Sequence, residues 1–207
     1  MDEQTKQSAF MNALVTEHFV LQSAASTTVS EAAGRATLYM TTLSSAVVAM
    51  GFVTRSPGML APFAATVIPT VFIMGVFTTV RLVDTGVQNL TFLAGIARIR
   101  GYYRGLESSD DSHFTPWGQT SNEATQALSA LAVKRSRLLG FGTTASMIAT
   151  VNGILAGVGV ALLGTALLGR DHTWLDVLAG ILATATCLTA FYRYQDKRYR
   201  TLDTPSQ

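Results

Sequence analysis

The stretch Ala36–Val80 has the sequence ATLYMTTLSSAVVAMGFVTRSPGMLAPFAATVIPTVFIMGVFTTV and contains one charged residue, Arg55. That charge stands beside a Pro-Gly pair, and both residue types interrupt helices and favour turns. Arg35 precedes the stretch and Arg81 follows it. Two uncharged segments that are joined by a turn and closed by arginine at each end predict a transmembrane hairpin.

The whole chain has the composition of a membrane protein. Of its 207 residues, 48% are hydrophobic and 14% are charged, whereas soluble domains average about 25% charged residues. The uncharged blocks are Ala36–Thr54, Ser56–Val80, Leu138–Gly169 and Val177–Tyr192. A helix of about 20 residues crosses a bilayer core, and the short fourth block reaches that length if Asp176 lies near the interface. We therefore predict four spans.

The sequence predicts an all-α integral membrane protein with four transmembrane helices in two hairpins and long helical extensions into the cytoplasm. The predicted divisions are a cytoplasmic amphipathic helix (1–35), a first hairpin (36–80), cytoplasmic helices and a loop (81–137), a second hairpin (138–192) and a tail (193–207).

Helical extensions are predicted on either side of the first hairpin. Phe10, Leu14, His18 and Leu21 recur at helical spacing, and neither Gly nor Pro occurs before Gly34. A second apolar stripe at helical spacing continues the other arm to about residue 105; it consists of Phe92, Leu93, Ile96, Ile99 and Tyr103. We expect the two extensions to pair through these stripes.

Basic residues predict the orientation. The termini and the segment between the hairpins carry 13 of the 15 Lys and Arg residues, and the other side carries Arg55 and Arg170. The positive-inside rule then places both termini in the cytoplasm. The start of the sequence lacks a basic region followed by an apolar core, so we expect no cleavable signal peptide and a first span that acts as an anchor.

Polar side chains within the spans are candidates for a water-filled path or for helix packing. Thr37, Thr41, Ser44 and Ser45 share one face of the first span, and Asn152 is the one amide side chain within any uncharged block. Hydroxyl and amide groups in lipid bond neighbouring helices or meet water. Both interpretations apply to these five residues.

Two further features concern packing and bending. Gly153 and Gly157 form a G-x-x-x-G pattern, which allows close approach of another helix. Pro69 lies in the middle of the second span and removes one backbone hydrogen bond, so it predicts a kink that serves packing or gating.

Charged groups outside the spans suggest three roles. Glu17 and His18 are an ionisable pair that would form a vestibule if the first helix lay inside an oligomeric bundle; the alternative is a solvated helix surface. Arg81/Asp84 and Arg193/Asp196 repeat an R-x-x-D pattern that predicts local ion pairs. For the central basic residues we expect one of three roles: they enforce topology, contact anionic lipid head groups or hold a nucleotide; they are Arg98, Arg100, Arg104, Lys134, Arg135 and Arg137.

No catalytic, cofactor-binding or metal-binding pattern is present in the sequence. The three histidines fall on different segments, and the single Cys187 lies within the fourth span. There is no phosphate-binding glycine loop and no nucleophile with an evident base. We expect neither an enzyme nor a nucleic-acid-binding protein.

Three runs carry a resemblance to a known group: EHFVLQSA (17–24), SEAAGRATLY (30–39) and ARIRGYY (97–103). They are similar to a group of uncharacterised actinobacterial four-span integral membrane proteins. This resemblance implies a bacterial inner membrane and no established activity. The layout also resembles small membrane effectors of bacterial conflict systems.

Three functions remain open from the sequence. The first is a homo-oligomer that forms or gates a pore, because four small spans cannot enclose a transport path alone. The second is a non-conducting scaffold whose cytoplasmic helices bind a protein partner. The third is a small transporter, which would require the two halves to be true repeats.

Overall fold

The computed structural model describes residues 2–56, 58–106, 143–169 and 173–200. Within these ranges the chain forms four helices and no strand: α1 (Glu3–Val53), α2 (Leu60–Leu106), α3 (Thr144–Leu168) and α4 (Thr173–Arg200). All four are long and apolar enough to span a membrane. An all-helical, multi-pass membrane protein is therefore confirmed. The side of the membrane on which each end lies stays a prediction.

Several predicted features lie outside the described residues. They are the loop and helix expected at 107–137, the outer turn around Arg170, the tail from 201 onwards, and the three basic residues Lys134, Arg135 and Arg137.

Helix α1 is unbroken for 51 residues, a length of about 75 Å at 1.5 Å per residue. It passes through Gly34 without interruption, and a side chain there would meet open space. The helix ends in a tight turn, where the Arg55 amide donates to the Phe52 carbonyl over 3.2 Å. Gly58 completes the connection with a φ of 80°, a conformation that suits residues without a Cβ atom.

Helix α2 continues for 47 residues and contains Pro69. Proline cannot donate a backbone hydrogen bond, yet the helix has no break there. One residue later, the Thr70 hydroxyl donates to the Thr66 carbonyl over 2.7 Å. The predicted stripe from Phe92 to Tyr103 is half-buried or buried, while Arg98 is exposed.

Helix α3 has defined caps at both ends. The Thr143 side chain accepts a hydrogen bond from the Ser146 amide over 3.1 Å, which satisfies one of the backbone donors left open at a helix start. Gly169 follows the last turn with a φ of 81°. A glycine at this place stops a helix without steric cost.

Helices α3 and α4 meet at a glycine contact. A Cβ atom on Gly157 would lie 2.5 Å from the Gly180 carbonyl oxygen, and one on Gly180 would lie 2.7 Å from the Gly157 carbonyl oxygen. The Thr184 hydroxyl donates to the Gly153 carbonyl over 3.1 Å. The two glycines thus allow backbone-to-backbone approach, and the threonine adds a hydrogen bond across it.

The described chain divides into two compact units. The first unit contains residues 2–31, 85–106, 199 and 200, and the second contains 32–84 and 143–198 with the gap already given. In the first unit the Thr28 hydroxyl donates to Asn89 over 3.3 Å. The Phe10 ring meets Tyr102 edge-on at 5.6 Å between centroids, although Phe10 itself is half exposed.

Replacing Gly157 by alanine should destabilise the protein by about 1–3 kcal/mol, the usual range for overpacking. The new methyl group would overlap the Gly180 backbone, which cannot rotate away. Thermal unfolding in detergent measures the change. The matched control is Gly51→Ala on α1, where a Cβ meets nothing within 4 Å. Equal midpoints for the two variants would contradict the glycine contact.

Candidate functional site

Asn152 joins three helices of the second unit. Its side chain is 5% exposed. The amide nitrogen donates to the Phe72 carbonyl on α2 over 3.2 Å, and the Tyr39 hydroxyl on α1 donates to the amide oxygen over 3.2 Å. A polar side chain in lipid is stabilised by such bonds because water is absent. Of the two interpretations of Asn152, the geometry is that of an interhelical bond.

Gly75 makes room for this amide. A Cβ atom at Gly75 would overlap the Asn152 side chain and would lie 2.8 Å from a ring carbon of Tyr39. Gly75 is three residues after Phe72, so it lies on the same face of α2 one turn away. A side chain at Gly75, one turn after the accepting Phe72 carbonyl, would therefore prevent the close approach of the three helices.

The four predicted hydroxyl residues of α1 lie on its outer surface. Thr37, Thr41, Ser44 and Ser45 are all exposed. In the described part of the chain none of their hydroxyls has a hydrogen-bond partner. The neighbouring Thr42 differs, because its hydroxyl donates to the Leu38 carbonyl over 2.9 Å. We call these four residues the hydroxyl face.

The hydroxyl face has glycines at both ends and shares its side of α1 with exposed apolar residues, among them Val48 at 59% and Phe52 at 68% exposed. Gly34 and Gly51 lie on the same side of α1, and a Cβ atom at either would meet nothing within 4 Å. Exposed hydroxyls without partners are costly in hydrocarbon. The four hydroxyls are therefore better suited to contact with another helix or with water than to contact with lipid tails.

Asp176 is buried between α3 and α4 with 4% of its surface exposed. Its carboxylate oxygen lies 2.9 Å from the Thr165 hydroxyl, which also lies 3.0 Å from the Ala161 carbonyl. Gly164 makes room, since a Cβ atom there would overlap the carboxylate. Asp176 is in the first turn of α4, where the helix dipole favours a negative group.

The structure adds a packing contact at Asp176, and its expected position near the membrane interface stays a prediction. The sequence treated this residue as the outer limit of the fourth span. The structure packs it against α3 through Thr165 and Gly164. The sequence alone does not give the packing partner of an aspartate directly before an apolar run, because that partner is a glycine-threonine pair on a different helix.

Asp84 and Arg198 form an ion pair between α2 and α4. The Arg198 Nε atom donates to the Asp84 carboxylate over 3.0 Å, and a second guanidinium nitrogen contacts the same oxygen. This carboxylate raises the pKa of Arg198 through the hydrogen bond and its charge. The predicted local R-x-x-D pattern thus contributes Asp84 to a contact between two helices.

The remaining candidates are placed separately. Glu17 is exposed and His18 is half-buried on α1 of the first unit, and the described part of the chain gives the buried His18 Nδ1 atom no hydrogen-bond partner. Arg98 is exposed, while burial lowers the pKa of Arg100 and the charge of Arg104 lowers it further.

Pro69 is exposed on α2. Within the described ranges, no group of three metal-ligating side chains occurs.

Sequence reasoning missed two residues of the Asn152 contact. Tyr39 and Gly75 both lie in the stretch that predicts the first hairpin, yet neither stands out there. A tyrosine near the start of a hydroxyl- and alanine-rich span is the available signal, since a buried tyrosine needs a partner for its hydroxyl.

Comparison with protein-family models finds no match, and comparisons with curated proteins and with solved structures find none at a significant level.

The Asn152 contact predicts a non-additive pair of substitutions. Tyr39→Phe removes one hydrogen bond and should cost about 0.6 kcal/mol, the average for bonds between membrane helices. Asn152→Leu should cost more, because it removes both bonds and leaves the Tyr39 hydroxyl without an acceptor. In the Asn152→Leu background, Tyr39→Phe should cause no further loss. Reversible unfolding in mixed micelles measures all four stabilities, and simple additivity would contradict the contact.

The Asp176 contact predicts a difference between two replacements. Asp176→Asn keeps the shape of the side chain and its bond to Thr165, so we expect unfolding at or above the native midpoint. Asp176→Leu loses that bond and pushes a branched side chain against Gly164, so its midpoint should fall. Thermal unfolding in the same detergent decides; the contact is wrong if the leucine variant is the more stable of the two.

Proposed function

We propose that this protein is a homo-oligomer whose copies meet along the hydroxyl face of α1 and form or gate a pore between them. One observation carries the proposal: the hydroxyl face is exposed and unpaired in the single chain. Contact with another copy would give these hydroxyls partners, and water in a shared path would do the same.

The interior of the second unit favours a path between copies over a path within one. Asn152, the amide of the third span, is engaged by Tyr39 and by the Phe72 carbonyl. Asp176 is engaged by Thr165. Because these interior groups already have hydrogen-bond partners, the hydroxyl face of α1 is, within the described ranges, the polar surface that we assign to the path.

The same proposal includes a location. We place the protein in a bacterial inner membrane with both termini in the cytoplasm. The support is the concentration of 13 of the 15 Lys and Arg residues in the termini and the central segment, which the positive-inside rule assigns to the cytoplasm.

Planar-bilayer recording of the purified protein tests the pore. We expect ion conductance in the native protein and its loss or strong reduction in a Thr41→Leu, Ser44→Leu double variant, because the substitutions make the hydroxyl face apolar. The matched control is Thr186→Leu with Thr189→Leu on α4. Those two threonines are also exposed, but their hydroxyls already donate to backbone carbonyls of their own helix.

Two outcomes would overturn the pore. The first is no conductance in the native protein across pH, voltage and ion type. The second is equal conductance in the native protein and the Thr41/Ser44 variant, which would show that the hydroxyl face does not line a pore.

A scaffold is the second candidate, and a specific surface favours it. Phe19 is 64% exposed on α1, in the part of the helix that precedes the first uncharged block. Val20 and Val29 are also more than half exposed there. Large apolar groups outside a bilayer commonly mark a protein contact.

The scaffold predicts a stoichiometric partner that is lost on Phe19→Ser. Each variant is purified from membranes, and the amount of partner that co-purifies with it is quantified. The control is Phe52→Ser, at a residue that is similarly exposed but lies within the first uncharged block. Equal recovery of the partner with Phe19→Ser would exclude this surface.

A further inference from the structure

A groove lies between α1 and α2 in the second unit. Its volume is about 410 Å³, within the range of about 300–1,000 Å³ that is typical of small-molecule sites. Leu38 and Tyr39 of α1 form one wall, and Ile73, Met74 and Phe77 of α2 form the other. The walls are therefore largely apolar.

The groove opens to the outside of the helix pair. Leu38 is 70% exposed and Phe77 is 72% exposed. Both belong to the uncharged stretch that predicts the first hairpin, so in a bilayer the open side of the groove faces the hydrocarbon layer. An occupant of this groove must be apolar along most of its length.

A single charge lies at one end of the groove. Arg35 lines it together with Thr78, and Thr70 lines it about two helical turns deeper along α2. Arg35 is the residue immediately before the uncharged block, which is the level at which phosphate head groups meet the hydrocarbon layer.

We propose that this groove binds one acyl chain of an anionic phospholipid whose head-group phosphate contacts Arg35. The apolar walls match the chain, and the arginine at the interfacial end matches the phosphate, for which a guanidinium is the preferred partner. Along the groove, the charge lies at the membrane edge and the apolar walls lie towards the membrane centre. A phospholipid has its head group and its acyl chain in the same order. The site does not depend on whether the protein conducts ions.

Lipid retention by the purified protein tests the site. The probes are phosphatidylglycerol and phosphatidylcholine with identical acyl chains, added to the full-length protein in detergent and measured by native mass spectrometry. We expect phosphatidylglycerol to be retained more strongly. Arg35→Gln should reduce its affinity on the order of fivefold, the effect of one basic residue near an anionic head group, and Arg35→Lys should restore most of it.

Two matched controls separate this groove from general lipid contact. Arg55→Gln removes the exposed arginine at the other end of the first hairpin and should leave the lipid preference unchanged. Ile73→Trp fills the groove and should weaken retention of phosphatidylglycerol, whereas Ile154→Trp, at an equally exposed position on α3, should not.

Three results would overturn the proposal. They are equal retention of the two lipids by the native protein, equal losses in Arg35→Gln and Arg55→Gln, and equal losses in the two tryptophan variants. Glycerol phosphate distinguishes a lipid from a free phosphate: we expect no competition from it, and displacement of the lipid by glycerol phosphate alone would assign the site to a soluble anion.

Discussion

The amide of Asn152 is the contact on which the second unit depends. In a hydrocarbon layer a buried amide has no water to bond, so its partners must come from neighbouring helices. Tyr39 and the Phe72 carbonyl fill that need from α1 and α2. The contact works because Gly75 lacks a side chain. One glycine and one tyrosine thus decide how three helices approach.

This contact also sets the rotation of α1 about its own axis. Successive residues of an α-helix are about 100° apart. If Tyr39 points to Asn152, then the four residues of the hydroxyl face lie about 120–160° away from it around the helix and point outward. The exposed hydroxyl face is therefore a consequence of the inward tyrosine. The same rotation leaves Leu38 and Arg35 beside α2, where they line the groove.

The sequence was sufficient for the elements and insufficient for their partners. Uncharged blocks bounded by arginine predict the spans because charge is costly in lipid, and the absence of Gly and Pro before Gly34 predicts the unbroken α1. Glycines predict close packing but do not name the partner: Gly157 meets Gly180 of the following helix, while Gly75 meets Asn152 of α3. Asp176 and Asp84 show the same limit, since each is bonded from another helix. Such pairings depend on the rotation of each helix, which a pattern along one helix does not specify.

Disulfide cross-linking between copies tests our proposal that a second copy covers the outer face of α1. The protein would carry Ser44→Cys in a Cys187→Ser background and would be oxidised in native membranes. We expect efficient cross-linking of Ser44→Cys and none of Ile154→Cys, which is exposed on α3. Absence of cross-links at Ser44, or equal cross-linking at both positions, would contradict the proposal.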